Sequence, residues 1–251
     1  MGDFGVGGAR QRATGDAMRA FEEAHPAAVL VTLGDNDYTR SAARFAAEWR
    51  ASFGWLPAAG VDVAGALGNH DVELAGGRYE FALLGMPAPY YVKRLEDADV
   101  IVLDSTRIND AQTRWLGRVL ATSRARWKVA VFHHPPYTCG GYLGNSAVRR
   151  RWTPLFERHG VRLVLSGHDH NYQRFAARRG VTYVVHGGGA GRLYTLRRCP
   201  TAYPRRAAAR SAHGFLYADV AADRIVLSAV ALNGGVIDRV TIRATGAVQA
   251  S

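Results

Sequence analysis

The sequence is poor in cysteine and in lysine: Cys139 and Cys199 are its only thiols, and only Lys93 and Lys128 among its 32 basic residues are not arginine. Two cysteines so far apart make neither a zinc knuckle nor a CxxC redox pair. One disulfide or two separate thiols both remain open, so cysteine usage says nothing about compartment. Long apolar runs are missing as well. Nothing approaches the roughly 18 uninterrupted apolar residues of a membrane helix, and no basic-then-apolar signal opens the chain. A composition 48% hydrophobic and 21% charged excludes collagen-like repetition and wholesale disorder.

What remains is an ordinary globular chain of 251 residues with a formal charge of +11. The length fits a single domain over 1–251, with no linker and no internal repeat. The arginines are scattered, with short clusters at Arg149, Arg150, Arg151 and at Arg205, Arg206, and no nucleic-acid-binding motif accompanies them. The charge is therefore a hint towards small anions, and nucleic acid is disfavoured as a partner.

Short apolar runs end in polar residues. Ala28 to Leu33 runs into Gly34-Asp35, and Val61 to Leu67 into Gly68-Asn69-His70-Asp71. Val100 to Leu103 ends at Asp104-Ser105, Val129 to Phe132 at His133-His134, and Val161 to Leu165 at Ser166-Gly167-His168. Such runs predict strands buried on both faces. Between them, helical spacing predicts helices over Thr14–Ala24, Ser41–Phe53, Asp110–Ser123 (capped at Asp110) and Ser146–His159. Tyr194 to Arg210 reads as a long loop, and Gly214–Val220, Asp223–Leu232 and Val236–Arg243 as a β-meander. Alternating strand and helix implies a largely parallel sheet, with ligands beyond the strand carboxyl ends.

At those ends stand Asp3, Asp35, Asn69 with His70, His133 with His134, and His168 with His170. One such cluster is more often a structural turn, but a parallel sheet brings all of them to one edge. Carboxylates, imidazoles and one amide oxygen without thiolate suit first-row metal ions. The number of donors suits two ions, the usual clamp for in-line attack on a phosphate ester.

Gly2-Asp3-Phe4-Gly5, Gly34-Asp35-Asn36-Asp37-Tyr38, Gly68-Asn69-His70-Asp71, Val131-Phe132-His133-His134-Pro135 and Gly167-His168-Asp169-His170 resemble the five blocks of the calcineurin-like metallophosphoesterases, in family order. The resemblance implies a four-layer α/β/β/α sandwich with a dinuclear metal site at the strand C-terminal ends. The wider superfamily opens with Asp-x-His, where this chain has Gly5. It carries Tyr38 three residues after Asp35, a pattern similar to the purple acid phosphatases, whose tyrosine ligates ferric iron.

Carried over residue by residue, the resemblance implies a first ion, Fe(III), on Asp3, Asp35, Tyr38 and His170. A second ion (Fe, Zn or Mn) would lie on Asp35, Asn69, His133 and His168, with Asp35 bridging. His70 and Asn69 would face the substrate, and His70 would act as general acid. His133 is preferred over His134 as the ligand of the His-x-Pro block. The implied function is hydrolysis of a small-molecule phosphate ester, most simply a monoester, by a metal-bound hydroxide. Two other readings stand beside it: a phosphodiesterase or nucleotide hydrolase on the same site, and a metal- or nucleic-acid-binding protein without turnover.

Two departures from the family pattern bear on this expectation. The loop from Tyr137 to Asn145 lacks the histidines usual there, and Tyr142 is the residue that could donate a hydrogen bond in their place. Only two residues precede Asp3, so the first strand is expected to be truncated. Either the start lies upstream, with export then an option, or Asp3 is weakly held.

Overall fold

The computed structural model describes residues 1–250. In chain order its elements are α1 (Gly8–Glu22), β1 (Val29–Val31), α2 (Ala42–Phe53), β2 (Asp62–Ala64), α3 (Arg78–Leu83), β3 (Tyr91–Arg94), β4 (Ala98–Val102), α4 (Asp110–Thr122) and β5 (Trp127–Val131). There follow α5 (Ser146–Arg151), α6 (Thr153–Arg158), β6 (Leu163–Ser166), β7 (Tyr172–Arg178), β8 (Val181–His186), β9 (Arg206–Arg210), β10 (Gly214–Val220), β11 (Arg224–Ala231), β12 (Val236–Arg243) and β13 (Val248–Ala250).

Seven strands form one sheet in the order β3-β4-β5-β6-β8-β7-β9. Its centre, β4 to β6 and β8, is parallel; β3 pairs antiparallel with β4 at one edge, and β7 pairs antiparallel with both β8 and the edge strand β9. A parallel β1-β2 pair and an antiparallel β10-β11-β12-β13 sheet lie opposite. The central strands read as apolar runs because both of their faces are covered. One face, with Val100, Trp127, Val129 and Leu163, packs on Ile225, Leu227, Val240 and Ile242 of the four-stranded sheet. The other, with Ile101, Ala130 and Val164, meets Leu116, Leu120, Trp152 and Phe156 of the helical side. Phe45, Trp49 and Phe53 of α2 cover the far side with Phe215 and Val230. The result is a four-layer α/β/β/α sandwich. Each fully buried large apolar side chain contributes roughly 1.5–3 kcal/mol relative to exposure. Among the described residues no helix is long and apolar enough to cross a membrane.

Residues 1–3 join the two strand layers. Leu33 N donates to Met1 O at 2.9 Å and Asp3 N to Gly34 O at 3.0 Å. On the other side Gly2 N donates to His186 O and Gly189 N to Gly2 O, both at 3.0 Å. Asp3 O also accepts from Ala190 N and Gly191 N, at 3.1 and 2.9 Å. These hydrogen bonds hold the backbone of Asp3 from both sides.

The structure corrects several boundaries. The first helix starts at Gly8, earlier than its glycine-rich opening suggests. The cap of α4 is Asn109, whose side chain accepts from Gln112 N, and Asp110 is already helical. The helix expected over Ser146–His159 breaks at Trp152, with Pro154 opening the second piece. The expected loop before Arg210 ends in a strand, β9, paired with β7. Cys139 and Cys199 form a disulfide that ties the loop after β5 to the loop before β9.

Candidate metal centre

The strand ends place the donors. The pairing of β5 with β6 continues through Phe132 N to Leu165 O (3.2 Å) and Gly167 N to His133 O (3.0 Å), which sets His133 beside His168. Asp3, Asp35 and His168 take left-handed backbones, with φ of 62°, 53° and 70°. Each such non-glycine residue costs on the order of 1–3 kcal/mol and persists where its surroundings enforce it. Here hydrogen bonds do so: Asp3 Oδ2 accepts from His168 N at 2.8 Å, and Asp35 Oδ1 from His70 N at 3.0 Å.

Two sets of contacts meet at one carboxylate oxygen. Tyr38 Oη lies 3.0 Å from Asp35 Oδ2, 3.3 Å from Asp3 Oδ1 and 3.2 Å from His170 Nε2. His133 Nε2 lies 3.4 Å from the same Asp35 Oδ2, 3.2 Å from Asn69 Oδ1 and 3.1 Å from His168 Nδ1. The opposite ring nitrogens are fixed by carbonyls, His133 Nδ1 2.9 Å from Leu33 O and His170 Nδ1 2.8 Å from Arg192 O. Such outer partners set ring orientation in metal sites.

Electrostatics follow from burial. Burial pushes the Asp3 carboxyl up, with the neighbouring His133 opposing. Burial also opposes charge on Asp35, yet His133 holds that carboxyl below the usual range. In turn the Asp35 and Asp3 carboxylates overcome burial and push His133 up to about 9. His168 is lowered by burial and then by His133. Burial, together with the Asp3 and Asp35 charges, raises the Tyr38 phenol. A cation reverses this logic for carboxylate and phenol alike. Asp3, Asp35 and His133 offer donor atoms within 4.8 Å of one another, and so do His133, His134 and His168. Carboxylate, phenol, amide and imidazole donors at this spacing fit two hard or borderline ions.

His70 lies beside this cluster, its ring 4.5 Å from that of Tyr38, with Nδ1 3.1 Å from Glu73 Oε1. Glu73 is held by Arg40 Nε at 2.7 Å. His134 packs its ring 4.5 Å from His168 and places Nδ1 3.0 Å from Ser105 Oγ. Tyr142 and Tyr194 stack on His168 and His170, at 4.1 and 4.3 Å between ring centres.

Sequence reasoning missed the residues that hold the turns. Buried Asp71 accepts from Asn36 N (2.7 Å), Asp37 N (3.0 Å) and Gly68 N (2.7 Å), pinning the second block to the third. Buried Asp169 accepts from Thr138 Oγ1, Gly141 N and Asn171 Nδ2, pinning the Tyr142 loop to the histidine block. Tyr194 and Glu73 were also unmarked. A carboxylate within three residues of a candidate donor was the signal for Asp71, Glu73 and Asp169, and it is a common one.

Residues 1–172 match the model described as calcineurin-like phosphoesterase, and the chain belongs to that family, one with a dinuclear metal site. It is 32% identical over 78 residues to the tartrate-resistant acid phosphatase type 5 of Oryctolagus cuniculus, covering 31% of this chain and 24% of that protein. The chain thus matches about a quarter of that relative's length. Among solved structures it is similar to the purple acid phosphatase PPD1 from yellow lupin (Lupinus luteus), with a TM-score of 0.80 and 17% identity, covering 96% of this chain and 52% of that one. It is also similar to GAP50, titled the anchor in the inner membrane complex of Plasmodium, with a TM-score of 0.77 and 17% identity, over 95% and 85% of the two chains. At those identities the two likenesses show the fold.

The position of the absent histidine is sterically closed. A Cβ on Gly5 would stand 2.1 Å from Asn36 O, because the turn carrying Tyr38 packs onto it through Tyr38 N to Gly5 O at 2.9 Å. Gly5→Ala is expected to cost roughly 1–3 kcal/mol by overpacking and to weaken metal binding by displacing Tyr38. Chemical denaturation and metal titration check this, and unchanged values in both would contradict it.

Proposed function

We propose that the chain hydrolyses small-molecule phosphate esters, monoesters in preference to diesters, at a two-metal centre of the purple acid phosphatase type. The observation that carries this reading is the Asp35 Oδ2 atom, in contact with both Tyr38 Oη at 3.0 Å and His133 Nε2 at 3.4 Å. One carboxylate oxygen between two donor sets is the arrangement a bridging ligand requires. On this reading Asp3, Asp35, Tyr38 and His170 hold Fe(III), and Asp35, Asn69, His133 and His168 hold Fe, Zn or Mn. Bound there, two cations lower the pKa of a water and neutralise phosphoryl charge.

The remaining work falls to the chain. Asn69 and His70 face the phosphate on this reading. Glu73, holding His70 Nδ1, orients the ring and leaves Nε2 for the leaving-group oxygen, which receives its proton there. Tyr142 and Tyr194 cover the outer faces of His168 and His170, which keeps those rings from turning and narrows access for water. No side-chain nucleophile enters, so no covalent intermediate is expected.

Parallel assays of an aryl phosphate monoester and diester, with iron plus zinc or manganese, test the activity. Faster monoester turnover is expected; the reverse order identifies a diesterase, and no turnover with any metal identifies a binding protein. His70→Ala should slow the monoester reaction by about 10²–10⁴-fold, the usual worth of a general acid. The loss should shrink for leaving groups that need little protonation. Equal losses across leaving groups would mean that His70 only positions the phosphate.

Tyr38 supplies the test of the branch. Iron-loaded protein should absorb visible light through phenolate-to-iron charge transfer, and Tyr38→Phe should remove the band while the fold survives. A colourless iron-loaded protein, or a band unchanged in the variant, would assign Tyr38 to packing beside ions of another kind.

A further inference from the structure

The arginine clusters marked in the sequence take no part in the metal centre. Between Asp169 and Asp219 the chain carries nine arginines and no carboxylate. Carboxylates from other segments are committed: Glu157 pairs with Arg178 and Arg179, Asp238 with Arg174, and Asp110 with Arg151. Among the described residues, Arg192, Arg197, Arg198, Arg205, Arg206 and Arg210 enter no ion pair.

The fold gathers these charges on one side. The Cys139–Cys199 disulfide and the bond from Arg197 N to Cys139 O at 2.9 Å fix Arg197 and Arg198 against the loop after β5. Arg149 Nη1 donates to Tyr203 Oη at 3.0 Å, which draws the cluster at 149–151 towards the one at 205–206. Arg206 Nη1 reaches the same Cys139 O at 3.1 Å. Arg206 and Arg210 open and close β9, the last strand of the seven-stranded sheet, which among the described residues is hydrogen-bonded only to β7. Arg210 pairs with Tyr172, two residues beyond His170. The free edge therefore starts beside the metal centre and runs outward for roughly 13 Å, at about 3.3 Å per residue. Arg197, Arg198, Arg205 and Arg210 are exposed along it and around it.

We propose that this face binds an acidic polypeptide segment, extended along the free edge of β9 with its Asp and Glu side chains on the arginines. Charge alone fits any polyanion. A phosphate chain or a single-stranded nucleic acid would meet the guanidinium groups but leave the N–H and C=O groups of the edge to water. A polypeptide uses both sets at once, because its backbone continues the ladder while its carboxylates pair with arginine. Open edges invite pairing between copies of a chain, and charge is the usual guard against it. At a formal charge of +11 a second copy is repelled, whereas an acidic strand is drawn in. Bound there, the segment would reach the metal centre at its Arg210 end. This inference rests on the arginines and the edge and is independent of the proposed chemistry.

The experiment titrates the full chain into two fluorescent decapeptides, one alternating Glu with Thr and one alternating Glu with Pro. Their charge is equal, but proline removes every second backbone N–H and cannot join a ladder. The Glu-Thr peptide is expected to bind about tenfold or more tightly than the Glu-Pro peptide. It should also slow amide exchange across 206–210 by about tenfold. Combining Arg197→Ser, Arg198→Ser and Arg205→Ser, all at exposed positions, should weaken the Glu-Thr peptide by about tenfold or more at unchanged Tm. Where that variant melts lower, the exchange protection in the unaltered chain decides, since it needs no substitution. No binding of the Glu-Thr peptide, equal affinity for both peptides, or binding without protection of 206–210 would overturn the proposal. Tighter binding of inorganic polyphosphate or single-stranded RNA of equal charge would overturn it too, by assigning the face to another polyanion.

Discussion

The structure turns on the carboxylate of Asp35. Its Oδ2 touches Tyr38 and His133, and its Oδ1 accepts from the backbone of His70. Three blocks of sequence separated by some thirty to sixty residues are thereby fixed relative to one another at a single group. Placing that group requires a left-handed backbone at Asp35, and the Asp71 carboxylate helps to enforce it by gathering the amides of Asn36, Asp37 and Gly68. One buried carboxylate thus organises the turns from beneath, and another draws the donors together from above.

Such a cluster is costly without compensation. Asp3, Asp35 and His133 are almost wholly buried, and burial penalises their charged forms. Mutual pairing offsets part of the penalty and leaves a phenol and several imidazole nitrogens at hydrogen-bond distance from one another. On the proposed reading, two cations complete the pairing among Asp3, Asp35, Tyr38, Asn69, His133, His168 and His170. The same constraint explains why Gly5 and Tyr38 belong together. The backbone turn that delivers the phenol to the cluster occupies the space that a side chain at position 5 would need.

Much of this was legible in the sequence, for identifiable reasons. Strands buried on both faces appear as apolar runs, and a parallel sheet delivers their polar ends to one edge, so Asp35, Asn69, His133, His168 and His170 could be grouped before any geometry. The β-meander was readable because its turns are rich in glycine and small polar residues. Other features act through groups that composition does not register. Asp71 and Asp169 work on backbone amides, Glu73 works on an imidazole three residues earlier, and Cys139 meets Cys199 across two loops sixty residues apart in sequence. The strand β9 is hidden in a stretch of Arg and Ala whose pairing is decided by its neighbour. The early start of α1 is masked by glycine, a poor helix former whose cost tertiary packing overrides.

The claim on which the account depends is that Asp35 is shared between two ions. Metal content after dialysis, measured in the iron- and zinc-loaded protein and in Asp35→Ala and Asn69→Ala, tests it most directly. Two ions per chain are expected in the unaltered protein, close to none in Asp35→Ala, and about one in Asn69→Ala, which keeps the Asp3, Asp35, Tyr38 and His170 set intact. An Asp35→Ala protein that is folded and still retains two ions per chain would contradict the account.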